Sequence, residues 1–479
     1  MKILPEIALT YDDVLLVPQY SDIGSRKTLA TRAPLTAKIW LEIPIVSANM
    51  DTVTESEMAI AMAREGGIGI IHRFMSIEEQ VEQIARVKKA ESFVVDEPIT
   101  LTVAHTVGEV KRVVEETGSG GILILDRDER LVGIVTTRDL LFENNDERAV
   151  SELMRRDVVT APPNTTMEEA EKILHSHRIE KLPLVDDSGR VIGLITMKDI
   201  MKMMQYPKAT KDARGRLMVG AAVGVREKEL QRVERLLAAG ADCIVVDIAH
   251  GDSHLEIDII KKIRQRFPTA QIIGGNVATA EGTQRLIDAG ADAIKVGVGP
   301  GSICITRLVA GTGVPQLTAV IECARVARAA NVPVIADGGI KHPGDVAKAI
   351  AAGASSVMIG SLLAGTDESP GLMMTRQGHR YKTSRGMASA QATVARKTRE
   401  GEGSVTQDEI DEYVSEGVDA AVPYRGRARE VLTQMVGGLQ SGMSYSGAHS
   451  IEEFQALAIF VRMTASGLRE SHPHDVEVL

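Results

Sequence analysis

The segment Leu237-Ala-Ala-Gly-Ala-Asp-Cys-Ile-Val-Val-Asp247 recurs as Ile287-Asp-Ala-Gly-Ala-Asp-Ala-Ile-Lys-Val-Gly297 and as Ile350-Ala-Ala-Gly-Ala-Ser-Ser-Val-Met-Ile-Gly360. Each copy has the pattern of a helix end, a glycine that terminates the helix, and a short apolar run typical of a buried strand. The repetition predicts parallel strands that alternate with helices.

The same strand pattern occurs elsewhere in the chain and gives eight candidates in all. Eight parallel strands with intervening helices predict an α/β fold of the (β/α)8 type, the TIM barrel. Enzymes with this fold place their chemistry at the carboxyl ends of the strands. The predicted strands begin near Ile43, Gly66, Val219, Cys243, Gln271, Ala293, Val332 and Ser355.

Composition limits the classes of function. The chain has 479 residues, which predicts two domains, and its net charge of −10 without a basic cluster makes nucleic acid an unexpected partner. The three cysteines lack paired spacing, so we expect neither a disulfide framework nor a zinc site, and a reducing cytoplasm suits them. No apolar run approaches the roughly 20 residues of a membrane span, and we expect a soluble protein without a membrane partner.

A second repeat begins at Ser92 and ends near Met204. Leu131-Val-Gly-Ile-Val-Thr-Thr-Arg-Asp-Leu140 matches Val191-Ile-Gly-Leu-Ile-Thr-Met-Lys-Asp-Ile200, with corresponding residues 60 positions apart. Each copy predicts a strand followed by a threonine and an aspartate at a helix start. Such residues serve either as helix caps or as ligand contacts, and both interpretations stay open. The paired residues are Thr136 with Thr196 and Asp139 with Asp199.

This duplicated segment interrupts the strand and helix alternation after its second unit. We therefore predict a barrel formed by residues 1–91 and 205–479, the second part carrying a flap and a C-terminal segment. Residues 92–204 form an inserted domain.

A glycine-rich segment after the predicted sixth strand carries a single cysteine. It reads Gly297-Val-Gly-Pro-Gly-Ser-Ile-Cys-Ile-Thr-Arg307. Its glycines permit positive φ and close approach of the backbone to a ligand. Cys304 lies among Ser302, Thr306 and Arg307, which are unusual neighbours for a cysteine that only fills a core. The segment predicts a nucleophile on a loop at the mouth of the barrel.

The motif Gly-Pro-Gly-Ser-Ile-Cys-Ile-Thr-Arg resembles the catalytic loop of the IMP dehydrogenase and GMP reductase superfamily, and the resemblance extends over nearly the whole chain. It implies an oxidoreductase that acts at carbon 2 of a purine nucleotide, GMP or IMP, through a covalent adduct with Cys304. Thr306 and Glu416 would complete the catalytic set. The resemblance also implies a homotetramer, which can stack into an octamer.

The inserted repeat resembles a tandem CBS, or Bateman, domain. In this superfamily such domains bind regulatory purine nucleotides of the ATP and GTP class. The implied nucleotide contacts are Thr136, Asp139, Thr196 and Asp199.

The resemblance also assigns the subsites of the barrel. Loops after the seventh and eighth strands commonly bind phosphate through backbone N–H groups, and the family places a ribose on Asp337 and the purine against Met50. The substrate candidates are Met50, Ser302, Asp337, Gly338, Gly339, Gly360, Ser361, Gly386 and Met387. The candidates for the cofactor, NADPH or NAD(H), are Asp247, Asn276 and Gly297. The candidates for a potassium ion are Gly299, Gly301, Cys304, Glu470, Ser471 and His472, the last three from a neighbouring subunit.

The two family activities diverge after the covalent adduct forms. Family dehydrogenases carry an Arg-Tyr pair on a flap about a dozen residues before a Glu or Gln, here Glu416, but no Arg-Tyr occurs between Ala388 and Glu416. Arg380-Tyr381 lies outside that flap. The absence of the pair and the reductase-like segment Gly386-Met-Ala-Ser389 favour the NADPH-dependent conversion of GMP to IMP and ammonia.

Two alternatives stay open. The tail Gly467-Leu-Arg-Glu-Ser-His-Pro-His-Asp475 resembles that of bacterial dehydrogenases, which oxidise IMP to XMP with NAD and water. The second alternative is a regulator that senses nucleotides through its CBS pair and carries a degenerate barrel.

Overall fold

The computed structural model describes residues 3, 6–91, 94, 95, 97–392, 394, 414–473 and 476, and only the main chain of residues 202–204. The chain forms two compact units. One comprises residues 1–90, 208–212 and 217–479, and the other comprises residues 91–207 and 213–216. The predicted boundary residue Ser92 lies outside the described residues, and the assignment of domains stays a prediction.

The strands are short, as expected for buried parallel β-structure. In chain order they are β1 Val14–Leu16, β2 Ala33–Pro34, β3 Trp40–Leu41, β4 Ile45–Ser47, β5 Ile68–Ile71, β6 Val94–Val95, β7 Thr100–Thr102, β8 Gly121–Leu125, β9 Leu131–Thr136, β10 Lys181–Val185, β11 Val191–Thr196, β12 Val219–Val223, β13 Cys243–Asp247, β14 Ile272–Val277, β15 Ala293–Val296, β16 Val334–Asp337, β17 Ser356–Ile359, β18 Met373–Arg376, β19 His379–Arg385, β20 Asp419–Pro423 and β21 Phe460–Arg462.

The α-helices alternate with many of these strands. They are α1 Ser56–Arg64, α2 Ile77–Ala90, α3 Val107–Thr117, α4 Thr137–Leu140, α5 Val150–Leu153, α6 Met167–His177, α7 Met197–Gln205, α8 Glu229–Ala238, α9 His254–Arg266, α10 Ala280–Ala289, α11 Thr306–Val309, α12 Gln316–Ala329, α13 Pro343–Ala351, α14 Ser361–Ala364, α15 Ala428–Tyr445, α16 Ile451–Leu457 and α17 Ala465–Glu470. Short 3-10 helices span Tyr11–Asp13 and Arg26–Thr28.

Eight parallel strands close into a barrel in the order β12, β13, β14, β15, β16, β17, β4 and β5, and β5 pairs with β12. Each begins within two residues of its predicted start, so the barrel prediction is confirmed. Their side chains are almost entirely buried, which explains why the strands read as continuous apolar runs rather than alternating ones.

The glycines that define the repeated motif end their helices as predicted. Gly240, Gly290 and Gly353 have φ values of 99°, 105° and 112°. A residue with a Cβ atom is disfavoured in this left-handed region. The motif therefore marks the turn from helix to barrel strand in all three copies.

The second unit contains two three-stranded sheets. One has the order β7, β8, β9, and the other β10, β11, β6. Each sheet packs with its own helices around a separate apolar core. The predicted repeat appears in the structure, since β9 and β11 are its equivalent strands and α4 and α7 follow them directly.

Three antiparallel strands, β18, β19 and β20, extend the chain beyond the last barrel strand. The carboxyl end of β19 leads into Gly386 and Met387. Helix α15 then packs against α13 on the outside of the barrel. Within the part of the chain that the structure describes, none of the helices is both long and apolar enough to cross a membrane.

Candidate active site

The carboxyl ends of the barrel strands surround a cavity of about 500 Å³. This volume is in the range that binds small molecules and cofactors. Many of the residues predicted from the sequence line it. They are Met50, Asp247, Asn276, Gly297, Gly299, Gly301, Cys304, Thr306, Asp337, Gly386, Met387 and Glu416.

Cys304 is half-buried on the loop between β15 and α11. Its Sγ atom lies 3.2 Å from the Oγ1 atom of Thr306, and its backbone N–H donates to the carbonyl of Gly301 at 3.2 Å. The sulfur is therefore held beside a hydroxyl group and faces the cavity. This is the arrangement expected of a nucleophile with a proton-relay partner.

The segment that carries Glu416 is paired with the cysteine loop. The N–H of Ile305 donates to the carbonyl of Glu416 at 2.8 Å, and the N–H of Val418 donates to the carbonyl of Ile303 at 3.0 Å. On the other side, the N–H of Glu416 donates to the carbonyl of Ala388 at 3.1 Å. Backbone pairing thus places Glu416 beside the nucleophile from far along the chain.

A close backbone contact explains why two positions at this junction are occupied by glycine. A Cβ atom on Gly386 would lie 2.9 Å from the Cα atom of Gly417, and one on Gly417 would lie 3.1 Å from the Cα atom of Gly386. A side chain at either position would push the two segments apart.

The remaining substrate candidates are not among the residues that line the cavity. Gly338 and Gly339 follow β16 with φ values of 95° and 82°, and a Cβ atom on Gly338 would lie 3.2 Å from the backbone nitrogen of Gly301. Gly360 lies between β17 and α14, where a Cβ atom would be 3.4 Å from the Sδ atom of Met50. Ser302 lies in the cysteine loop itself and Ser361 begins α14. Their role in phosphate binding stays a prediction.

A buried lysine that the sequence reasoning did not select lies at the floor of the cavity. The Nζ atom of Lys295, whose side chain is 3% exposed, donates to Asp337 Oδ2 at 2.9 Å and to Asn276 Oδ1 at a shorter distance. It also lies 3.5 Å from Asp247 Oδ1. The signal in the sequence was a single lysine inside a four-residue apolar strand.

The charges at this floor are partly balanced. Burial alone would lower the pKa of Lys295, but the attraction of Asp337 and Asp247 outweighs it, so the pKa is raised and the ammonium stays charged. Behind it, burial raises the pKa of Glu256 well above its usual range, which favours the neutral acid. One buried cation therefore faces two carboxylates.

The tail residues of the predicted cation site lie at the end of α17. His472 packs edge-on against His342, with ring centroids 6.2 Å apart. Among the described residues, no group of three or more His, Cys, Asp or Glu side chains is arranged to hold a metal ion. The loop carbonyls still suit an alkali cation, because such ions prefer oxygen ligands and the Gly301 carbonyl keeps one lone pair after accepting from Cys304. The potassium site stays a prediction.

Comparison with known proteins identifies the family. Residues 8–474 match the family described as the IMP dehydrogenase / GMP reductase domain. The chain belongs to this family. It is therefore an oxidoreductase that acts on purine nucleotides with a nicotinamide dinucleotide, and the predicted membership of this superfamily is confirmed.

Proteins named for each of the two family activities are similar to this chain over nearly the whole of both sequences. It is 52% identical to the inosine-5'-monophosphate dehydrogenase of Nitrosopumilus maritimus over 98% of each chain. It is 50% identical to that of Bacillus subtilis over 98% of this chain and 96% of the relative. A crystal structure of a cysteine-to-alanine variant of GMP reductase from Trypanosoma brucei with guanosine 5'-monophosphate has a TM-score of 0.86 and 46% identity, covering 98% of each chain.

Several residues of the cavity lining suit the family's dinucleotide. Besides Lys295, three cationic residues and one aromatic residue that the sequence reasoning did not select line the cavity. Cationic side chains suit phosphate groups, and an aromatic ring suits a flat base. These residues are Arg73, Phe74, Arg226 and Lys228.

The second unit contains a smaller cavity, of about 150 Å³. Thr136 and Asp139 from the first repeat line it, together with Arg155, Arg178 and Lys181. The equivalent residues Thr196 and Asp199 are not among its lining.

Both aspartates of the repeat cap their helices. Asp139 Oδ2 accepts from the backbone N–H and the hydroxyl of Thr136 at 2.8 and 2.7 Å. Asp199 Oδ2 accepts from the hydroxyl of Thr196 at 2.5 Å. Both aspartates therefore have a structural role at a helix start, and Asp139 also lines the cavity, while nucleotide binding by either residue stays a prediction.

Proposed function

We propose that the chain is a GMP reductase, which converts GMP to IMP and ammonia with NADPH. The observation that carries this proposal is the absence of an Arg-Tyr pair between Ala388 and Glu416, although Cys304, Thr306 and Glu416 are all retained. A reductase must release ammonia and exclude water, so it has no need of a flap arginine that activates water. The relationship to the GMP reductase of Trypanosoma brucei supports the proposal.

In this proposal the Cys304 thiolate attacks carbon 2 of GMP and forms a carbon–sulfur bond. Thr306 and Glu416 pass a proton to the 2-amino group, which leaves as ammonia when the carbon–nitrogen bond breaks. A reduced nicotinamide, when bound, would supply the hydride that takes the place of the amino group at carbon 2. The carbon–sulfur bond breaks, Cys304 recovers its thiolate and IMP is released.

The other residues bind and orient the substrate. Asp337 would accept the ribose hydroxyls, mainly through Oδ1, because Lys295 and Asn276 both donate to Oδ2 at 2.9 Å. Met50 and Met387 would contact the purine. Ser302 and the backbone of Gly338, Gly339, Gly360 and Ser361 would hold the phosphate. Asp247, Asn276 and Gly297 would contact the nicotinamide half of the cofactor.

IMP dehydrogenase is the second candidate, favoured by the names of the curated relatives. Here Thr306 and Glu416 would serve as the base that activates water. A carboxylate paired with a hydroxyl is a weaker base than the flap arginine of family dehydrogenases is expected to be. Oxidation of IMP should then be slow.

We expect the purified chain to oxidise NADPH when GMP is added, and to release IMP and ammonia in equal amounts. The same preparation is then given IMP and NAD, and production of NADH is measured. The absorbance of the nicotinamide reports both reactions, and chromatography identifies the nucleotide product. Robust formation of NADH and XMP from IMP, with no turnover of GMP, would replace the reductase assignment by the dehydrogenase.

We also propose that the cavity of the second unit binds a regulatory purine nucleotide of the ATP and GTP class. Arg155, Arg178 and Lys181 are three of the four cationic residues that line this cavity, and cationic side chains suit a polyphosphate. A GMP reductase of Trypanosoma brucei, 43% identical to this chain, has been crystallised with guanosine 5'-triphosphate.

Lys181→Met is expected to weaken ATP or GTP binding about 10- to 100-fold, since loss of one charge-assisted contact costs about 1.5–3 kcal/mol. Calorimetric titration of each nucleotide measures the effect. Lys172→Met, on the exposed surface of α6, is the matched control and should bind as the parent does. Equal affinities in both variants would contradict the assignment of this cavity.

The family resemblance supports two further proposals, a homotetramer that can stack into an octamer and a potassium ion shared between subunits. Light scattering measures the first, and the dependence of turnover on potassium measures the second.

A further inference from the structure

A partly buried ion pair joins two walls of the active-site cavity. Nε of Arg385 donates to Asp51 Oδ2 at 2.7 Å, and Nη2 donates to the same oxygen at a shorter distance. The backbone N–H of Arg385 also donates to the Oγ1 atom of Thr52 at 3.2 Å. The two paired residues are 334 positions apart in the chain. Both side-chain donors share one carboxylate oxygen, and the backbone hydrogen bond to Thr52 adds a second point of attachment, so the distance between the two segments is fixed.

The pair lies directly behind residues that face the cavity. Met50, which precedes Asp51, comes from the loop after β4 and lines the cavity. Gly386 and Met387, which follow Arg385, line it as well. Each partner of the ion pair therefore lies within two positions of a methionine at the cavity wall.

The environment of Asp51 gives the pair its importance. Its side chain is 2% exposed, and its Oδ1 atom is buried without a hydrogen-bond partner among the described residues. Arg385 is then the side chain that balances this buried charge. The hydrogen bonds to Asp51 raise the pKa of Arg385, so the guanidinium stays charged.

We propose that Asp51 and Arg385 are a positioning pair that sets the separation of the Met50 and Met387 walls, and thereby the fit of the purine base beside Cys304. The inference rests on the proposed function for one point only, namely which purine base is bound. Membership of the family already establishes that the ligand is a purine nucleotide. Neither residue touches the reacting atoms. Their effect should therefore appear mainly in the binding of the purine nucleotide.

The test compares substitutions on one strand. Arg385→Met removes the pair, and Arg385→Lys keeps the charge but loses the planar two-donor geometry. Arg380→Met is the matched control, since Arg380 lies on the same strand and stacks over the ring of Tyr424 at 4.2 Å, outside the cavity lining. KM is measured separately for the purine nucleotide and for the dinucleotide, with whichever pair the parent turns over.

We expect Arg385→Met to raise KM for the purine nucleotide about 10- to 100-fold, because small misplacements of a binding wall have effects of that size. KM for the dinucleotide should stay within about twofold, the lysine variant should recover part of the loss, and Arg380→Met should match the parent. The double variant Asp51→Asn with Arg385→Met should raise KM for the purine nucleotide by less than the product of the increases in the two single variants.

Equal increases in both KM values, or a purine KM no higher than that of Arg380→Met, would overturn the proposal. If Arg385→Met does not fold, the lysine variant gives the same comparison. The outcome is separate from that of the proposed function, because a parent that turns over IMP with NAD would refute the reductase assignment and still allow this test.

Discussion

Cys304→Ala should reduce turnover of the purine nucleotide by at least about 10⁴-fold, because loss of an attacking nucleophile removes the covalent route altogether. The sulfur is half-buried at the cavity, 3.2 Å from the hydroxyl of Thr306, and no other described cysteine lines that cavity. Steady-state assays with the nucleotide and dinucleotide that the parent uses measure the loss. Calorimetry should show that the variant still binds the nucleotide, since the rest of the site is unchanged.

Cys323→Ala is the matched control. This thiol is buried in α12, donates to the carbonyl of Thr279 at 3.4 Å, and has its pKa raised by burial to about 11. It is therefore a protonated core residue, and its replacement should leave turnover near that of the parent. A Cys304→Ala enzyme that keeps a tenth of the parent's turnover would contradict the covalent mechanism. An unmodified chain that binds nucleotides but turns over neither GMP nor IMP would favour the regulator with a degenerate barrel.

The barrel could be predicted from the sequence because its signals are local. A glycine such as Gly290, with a φ of 105°, ends a helix, and the apolar run after it can only be a buried strand. The cysteine loop has the same property, since its glycines and polar residues occur within eleven positions of one another. Local spacing was therefore sufficient to predict both the fold class and the nucleophile.

The network around Lys295 could not be predicted from local spacing in the sequence. Its partners Asp247, Asn276 and Asp337 lie 48, 19 and 42 positions away, and they meet only because β13 to β16 are neighbours in the closed barrel. The sequence selected each partner as a ligand contact, but it gave no reason to join them. The salt bridge of Asp51 with Arg385 was missed for the same reason.

Glu416 was predicted from the sequence, but the physical reason for its position is visible only in the structure. The sequence placed it beside the nucleophile only through resemblance to the family, because most of the stretch before it has no periodic pattern. The structure supplies a physical reason in the backbone hydrogen bond from Ile305 to its carbonyl, at 2.8 Å. Antiparallel pairing with the cysteine loop was not visible in the sequence, since neither segment reads as a strand.

Lys295→Met should lower the free energy of unfolding by about 3–5 kcal/mol, the usual cost of removing one partner of a buried ion pair. The change leaves Asp337 and Asp247 at the cavity floor without their shared cation, and Asn276 without one donor. Urea unfolding measures the loss. Turnover should also fall, because Asp337 and Asn276 lose the contact that orients them toward the ligands.

The pH dependence of that loss identifies its electrostatic origin. The attraction of Asp337 and Asp247 raises the pKa of Lys295 in the folded parent above its unfolded value, about 10.4 for lysine. Stability contributed by a lysine with a raised pKa is present below the unfolded pKa and is lost as pH rises through the folded pKa. The deficit of Lys295→Met relative to the parent should therefore shrink as the pH is raised above about 10.4.

Lys382→Met provides the matched comparison for a buried lysine. The Nζ atom of Lys382 donates to the main-chain carbonyls of Thr366 and Ser369 at 2.8 and 2.6 Å, and burial lowers its pKa. Its removal costs hydrogen bonds but leaves no buried carboxylates facing each other. Because burial lowers the pKa of Lys382, the deficit of this variant should not shrink toward alkaline pH as that of Lys295→Met does. Identical pH profiles for the two variants would show that Lys295 contributes through packing and hydrogen bonding, and that its charge does not hold the floor of the active site together.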